Sequence, residues 1–208
     1  MVEWVTALVG GLGLIGIAWL MFLENVFPPI PSELIMPLAG FTAATGQHDL
    51  WAVILAGTLG SVAGAVMWYW VGRRVGSDRM RRLAARHGRW LTLSPQDITR
   101  AEDWFHRHGA IAVLLGRLVP AVRTLISVPA GAARMSQGSF LIWTSLGTAV
   151  WSGLLAVAGY ALRSSYTDVG KWMDPLATAV LVGMLGWYLW RVITWPSHGS
   201  QDRPDPKA

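Results

Sequence analysis

Long uncharged stretches alternate with short polar ones along the chain, and the stretches are longer than a soluble core needs. Residues 4–23, WVTALVGGLGLIGIAWLMFL, carry no charge, and neither do residues 50–71 and 139–162. Residues 176–195 carry one, Arg191, near their end. About 20 apolar residues cross a bilayer as a helix, so each run is long enough. The pattern predicts an all-α polytopic membrane protein. The first run does not read as a signal peptide: no Lys or Arg precedes it, and prolines and acids follow it rather than a small-residue cleavage site.

Two further stretches are apolar but interrupted. Residues 23–40, LENVFPPIPSELIMPLAG, contain Glu24, Glu33 and four prolines, Pro28, Pro29, Pro31 and Pro37. Residues 110–135, AIAVLLGRLVPAVRTLISVPAGAARM, contain Arg117, Arg123, Pro120 and Pro129. Proline cannot continue a helix beyond its first turn, so a helix ends near Phe27 and can restart at Ser32, whose hydroxyl is suited to cap it. Backbone groups freed in this way are tolerated at membrane depth only inside protein or beside a wet cavity. Each stretch therefore reads as a re-entrant hairpin, with bends at Pro28, Pro29 and Pro31 in the first and at Pro120 in the second. The half-helix N-termini after Pro31 and Pro120 are then expected to aim positive ends into the cavity.

The two stretches align. At an offset of 91, Pro29 falls on Pro120, Leu34-Ile35 on Leu125-Ile126 and Ala39-Gly40 on Ala130-Gly131; with one residue of slip, Gly57-Thr58 falls on Gly147-Thr148. This predicts two repeats, each a broken hairpin followed by a transmembrane helix, and then a last transmembrane helix over 176–195. The expected organisation is one membrane domain, 1–195. Its first repeat spans 10–71, with a hairpin near 14–46, and its second spans 109–162, with a hairpin near 109–135. Between them lies a basic, partly helical loop, 72–108, and the polar, Pro-rich residues 196–208 are expected to be disordered.

Charge orients this scheme. The loop 72–108 holds nine arginines against four acids, which places it in the cytoplasm by the positive-inside rule. The hairpins then open to opposite sides, making the repeats inverted, and the C-terminus is cytoplasmic. Within the loop, Ser94, Pro95 and Asp97 have the spacing of a capping box, and Gly109 stands where a helix would stop. His87, His106 and His108 read as loop histidines without metal-ligand spacing. The Gly60/Gly64 and Gly72/Gly76 pairs mark close helix packing, inside one chain in preference to a dimer face. Trp68, Trp70, Trp190 and Trp195 fit an interfacial belt.

Composition agrees: 53% of residues are hydrophobic and 14% charged, where a soluble domain has about 25% charged. The net charge of +5 does not indicate nucleic acid, because the basic residues gather between membrane runs. With no cysteine, thiol chemistry is excluded. No cofactor is expected.

One charge at mid-membrane costs roughly 2.5–3.5 kcal/mol, so four uncompensated ones would cost about 10 kcal/mol or more. Carboxylates on one hairpin can offset guanidiniums on the other. One reading is a pair of salt bridges that only locks the hairpins together. The other is functional. Arg117 and Arg123 can grip an anionic headgroup through parallel hydrogen bonds, while Glu24 and Glu33 can bind and release protons. That combination outlines proton-coupled transport of an anionic lipid or solute. Other hypotheses are a proton-coupled exporter of cations or drugs, a structural or assembly factor, and an enzyme. The enzyme ranks low: a lipid phosphatase would use His as nucleophile or acid–base group, and His48, His87, His106, His108 and His198 all read as loop or tail residues.

These residues carry a resemblance. E-N-x-x-P-P-x-P-S-E (24–33), G-R-R-V-G (72–76), G-R-L-V-P-A-V-R-T (116–124), P-A-G-A-A-R-M (129–135) and Phe140 resemble the DedA family of bacterial membrane proteins, which share the VTT or SNARE-associated domain with eukaryotic lipid scramblases. The resemblance covers roughly residues 10–165. It implies opposed re-entrant loops in the bacterial inner membrane and a flippase or scramblase of phospholipid or polyprenyl (undecaprenyl) phosphate, dependent on the proton motive force. The family's acidic pair maps to Glu24 and Glu33, and its arginine pair to Arg117 and Arg123. Many members have Asp after Pro-Gly at the second acidic position, where this chain has Ser32-Glu33. The expected partners are membrane lipids, a phosphorylated lipid substrate and protons, with room for a homo-oligomer.

Overall fold

The computed structural model describes residues 2–27, 32–91, 94–119, 122–162, 182–183, 186 and 188–194. The expected bends at Pro28, Pro29, Pro31 and Pro120, most of the 176–195 run and the 196–208 tail lie outside the described residues. The described residues contain helices and no strand. Six helices follow one another: α1 (Val2–Val26), α2 (Ser32–Ala44), α3 (Leu50–Leu91), α4 (Pro95–Arg117), α5 (Ser127–Ala132) and α6 (Gln137–Ala161).

The apolar runs do not all become straight spans. In α1, Gly13 takes φ 56 and ψ −133 and breaks the helix; such a left-handed φ favours glycine. The helix after that break, residues 14–26, extends about 20 Å at 1.5 Å per residue, short of a roughly 30 Å hydrocarbon layer. α2 is equally short. By contrast, Leu50–Arg86 and Gln137–Ala161 are long and apolar enough to cross a membrane.

The basic segment is not separate from the helix before it. α3 continues past residue 71 to Leu91, interrupted at Gly76, which takes the left-handed region at φ 71. α4 opens with the expected capping box. Ser94 Oγ accepts from the Asp97 N–H at 3.1 Å, and the Ser94 N–H donates to Asp97 Oδ2 at 2.9 Å. Gly109 breaks α4 at φ 53, after which the chain re-enters helix as far as Arg117. The arm is tied together by Arg81, which donates to Asp78 at 2.6 Å and to Glu102 at 2.7 Å. His87, His106 and His108 therefore sit on helices α3 and α4, not in loops. The reason is that the polar arm carries few breakers between Gly76 and Leu91.

Two apolar clusters form. One joins α1, α2, α3 and α6 around Ile17, Leu20, Ile35 and Met36; the other joins α3, α4, α5 and α6 around Tyr69, Val113, Ile126 and Phe140. Phe140 stacks on Tyr69 with ring centroids 4.4 Å apart, and the Tyr69 hydroxyl donates to the Met135 carbonyl.

Three helix crossings are close enough to require glycine: α1 on α3, where a Cβ at Gly60 would fall on the Ala18 carbonyl, α2 on α6, and α5 on α3. A Cβ at Gly40 would fall on the Ala156 carbonyl, and one at Gly159 on the Pro37 carbonyl, so α2 meets α6 backbone to backbone. A Cβ at Gly131 would fall on the Tyr69 carbonyl, and one at Gly72 on the Val128 carbonyl, so α5 meets α3 in the same way. The short helices α2 and α5 thus pack on the long helices α6 and α3. Gly131 and Val128 stand 91 residues after Gly40 and Pro37, while Ala156 and Gly159 stand 87 after Tyr69 and Gly72. Gly60 lies against Ala18 of α1, Gly147 against Arg117 of α4, and Gly57 against Met36 of α2. Gly60 and Gly64 pack on Ala18 and Asn25 within the chain, but a Cβ at Gly76 would meet nothing.

Candidate functional site

The four charges singled out in the two hairpins come from four backbone positions: the end of α1 (Glu24), the first turn of α2 (Glu33), the end of α4 (Arg117) and the turns before α5 (Arg123). Three are buried. Glu24 and Arg117 are 2% exposed and Arg123 8%. The side chain of Glu33 is 43% exposed, so the centre reaches the surface on its side.

Arg123 joins the hairpins. Its Nη2 donates to Glu24 Oε1 at 2.6 Å and lies 3.6 Å from Glu33 Oε1. Its guanidinium also lies over the Trp151 ring of α6, 5.5 Å from the centroid, a cation–π arrangement. Burying such a pair is tolerable because each charge meets its opposite.

Arg117 is placed differently. Its Nη2 donates to Ser127 Oγ at 2.7 Å, and no carboxylate lies within 4.0 Å of it among the described residues. Its stem packs on Gly147 of α6, where a Cβ would come within 2.7 Å of Arg117 Cβ. The expected pairing of two acids with two arginines is therefore lopsided: Arg123 takes both acids and Arg117 takes neither. Ser127 was not singled out from the sequence, where a lone serine in an apolar stretch carries little signal.

Ser32 does begin α2, but its hydroxyl does not cap the helix. It is fully buried, and its Oγ has no hydrogen-bond partner. Glu33 occupies the first turn instead, where an acid is favourable to the helix dipole. Asn25 is also buried, and its backbone carbonyl accepts from Trp68 Nε1 at 3.1 Å. Trp70 is half-exposed beside the Arg73 guanidinium.

The polar atoms in this centre outnumber their partners. Glu24 Oε2, Asn25 Oδ1, Ser32 Oγ, Arg117 Nε and Arg123 Nε are buried without a hydrogen bond. Buried polar groups in folded proteins are nearly always paired, so the centre is built to meet something beyond its own side chains. A cavity of about 230 Å³ lined by Phe105, Gly109, Ala110, Ala133, Met135 and Ser139 contains none of the four charges.

Comparison with known proteins places the chain. The VTT domain model matches residues 30–161, which hold Glu33, both arginines and the crossing glycines. An alkaline phosphatase-like protein of Lactococcus lactis subsp. cremoris is 42% identical over 84% of this chain and 81% of its own length. Undecaprenyl phosphate transporter A of Staphylococcus aureus is 33% identical over 78% of this chain and 80% of its own length. An uncharacterized membrane protein of Bacillus subtilis, YkoX, is 32% identical over 87% and 82%. No solved structure matches. With its apolar helices, its hairpin charges and a domain match over well over half its length, the chain is a membrane protein of the DedA family, built on the VTT domain.

Proposed function

We propose that the protein moves a phosphorylated lipid, of the undecaprenyl phosphate or phospholipid kind, from one leaflet of the bacterial inner membrane to the other. The observation that carries this is Arg117: a buried guanidinium, bonded to a hydroxyl, with no carboxylate within ion-pair distance among the described residues. A permanently charged group held in that way favours an anion, and a phosphate accepts the parallel donors that a guanidinium presents. A relative carrying the name undecaprenyl phosphate transporter supports this choice of anion.

The hairpins serve as inverted repeats in this reading, supported by the matched crossings of α2 on α6 and α5 on α3. The loop 72–108 faces the cytoplasm. Protons enter through Glu24 and Glu33. Arg123 holds both acids; protonating either one weakens that hold and frees the guanidinium to share the phosphate with Arg117.

A cation exporter fits less well, since both acids already face Arg123. A phosphatase reading, which the name of the Lactococcus relative invites, lacks a histidine at this centre among the described residues. His48 lies against Gly13, and His108 Nδ1 lies 3.1 Å from the Trp104 carbonyl on the arm.

The test is transbilayer movement of a fluorescent polyprenyl phosphate in proteoliposomes, followed by quenching from outside. Arg117→Ala is expected to abolish protein-dependent movement, and a pH gradient to accelerate it in the parent. Unaltered movement in Arg117→Ala would sink the assignment.

A further inference from the structure

Each threonine of α2 and α3 named in this paragraph satisfies itself on its own helix. Thr42 donates to the Ala39 carbonyl at 2.7 Å, and Thr58 to the Ile54 carbonyl at 2.7 Å. This is the ordinary solution for a hydroxyl in an apolar helix. α6 breaks the habit. Thr144, Thr148 and Ser152 are 0%, 6% and 0% exposed, and none of their hydroxyls has a hydrogen-bond partner. The Trp151 indole Nε1 is likewise buried and unpaired.

These four residues fall at i, i+4, i+7 and i+8, so they share one face of the helix. The stripe is about 12 Å long at 1.5 Å per residue. Both arginines lie along it: Arg117 packs on Gly147, between Thr144 and Thr148, and Arg123 lies over Trp151. Each guanidinium also has a buried Nε without a partner.

The chemistry of the unpaired atoms is one-sided. An indole N–H and a guanidinium Nε–H can only donate, and a hydroxyl can donate with its free proton. Six such atoms lie on Arg117, Arg123, Thr144, Thr148, Trp151 and Ser152, with a seventh, Ser32 Oγ, at the start of α2, against the acceptors Glu24 Oε2 and Asn25 Oδ1. A phosphate monoester presents oxygen acceptors in every direction.

We infer that the inner face of α6 is the third wall of the phosphate site, with Thr144, Thr148, Trp151 and Ser152 donating to the headgroup oxygens that Arg117 draws in. This rests on the phosphate reading of Arg117 and extends it to residues outside the two hairpins. The row length also suits movement: a headgroup passing from Arg117 towards Arg123 keeps exchanging donors along one helix face instead of leaving them behind.

The test uses the purified full-length protein in detergent and a fluorescent short-chain polyprenyl phosphate, with the matching prenol as control. Thr144→Val and Thr148→Val keep shape and remove the hydroxyls, and Trp151→Phe keeps a ring under Arg123 but removes the N–H. The Thr144→Val/Thr148→Val double variant and Trp151→Phe are each expected to weaken phosphate binding about tenfold or more, the scale for losing donors to a charged group. Prenol binding and the melting temperature should hold steady or rise, because an unpaired buried hydroxyl has been removed. Thr148→Ser should restore phosphate binding. Parent-like binding in all of these, with binding lost in Arg117→Ala, would overturn the α6 wall while leaving the arginine site; the hydroxyls would then be paired by water only. Binding lost together with the melting temperature, and not rescued by Thr148→Ser, would make the row structural and overturn it too. A parent that does not distinguish phosphate from prenol would overturn both.

Discussion

Arg117 and Arg123 stand six residues apart, both buried, and their surroundings differ in kind. Arg123 has two carboxylates and an aromatic face; Arg117 has a serine hydroxyl and a glycine to lie against. The difference divides labour between two identical side chains. A guanidinium that already holds carboxylates stabilises the fold, because it neutralises Glu24 where that acid is buried. One that holds a hydroxyl contributes little to the fold and, in the proposed function, receives the anion.

The largest expected effect tests that division directly. Arg123→Met leaves Glu24 buried without its partner, which is expected to cost about 3–5 kcal/mol of stability. Arg117→Met, of similar volume, removes a buried charge that has no carboxylate and is expected to be neutral or stabilising, though transport is lost. Adding Glu24→Leu to Arg123→Met should recover much of the loss, since an apolar pair of similar size can replace a buried ion pair. Unfolding in detergent micelles measures all three. Equal losses for the two arginine variants would erase the distinction between brace and receiver.

A smaller effect separates the hairpins as packed bodies. At Gly40 and at Gly131 an added methyl group would strike a backbone carbonyl of the opposite half, and backbone cannot move aside as a side chain can. Gly40→Ala and Gly131→Ala are each expected to cost about 1–3 kcal/mol. Gly138→Ala, where nothing lies within 4 Å, should gain about 0.5–1 kcal/mol from the reduced freedom of the unfolded chain. If the two crossings do equivalent work, their costs match. A cost at one alone would make the halves unequal in packing as they are in charge.

Much of this was legible from residue order. Charges inside apolar stretches have few affordable surroundings, so a pairing of the acids with the arginines was one expectation of the sequence, and the structure brings Glu24 and Glu33 to Arg123. Ser94, Pro95 and Asp97 specify a helix start locally, and the capping box formed. The lopsided pairing was not legible, because it depends on which hairpin arm tilts towards which acid. Nor was the α6 row read, although its signal was present: Thr144, Thr148 and Ser152 recur every four residues in an uncharged run. Taken singly, a Thr or Ser in a membrane helix is expected to bond its own backbone, as Thr42 and Thr58 do. Only the packing of α4 against Gly147 shows which face turns inward.

The smallest expected effect lies outside the apolar layer and shows what a carboxylate does when its partners are backbone and hydroxyl. Asp97 is partly buried, which works against its charge. The Ser94 N–H and hydroxyl, at 2.9 and 2.8 Å, and Arg100, at 3.7 Å, outweigh this and hold its carboxyl below the ordinary range. In the unfolded chain the same group titrates near 3.9, so on acidification the unfolded state takes up the proton first. Its contribution is therefore complete above about pH 4 and disappears as pH falls through the lower folded value. Asp97→Asn should destabilise the protein by about 1 kcal/mol at pH 7, the usual size of a cap, and the difference from the parent should shrink as pH falls below the unfolded value of about 3.9. A difference that persists in acid would assign the effect to the shape of the cap and not to its charge.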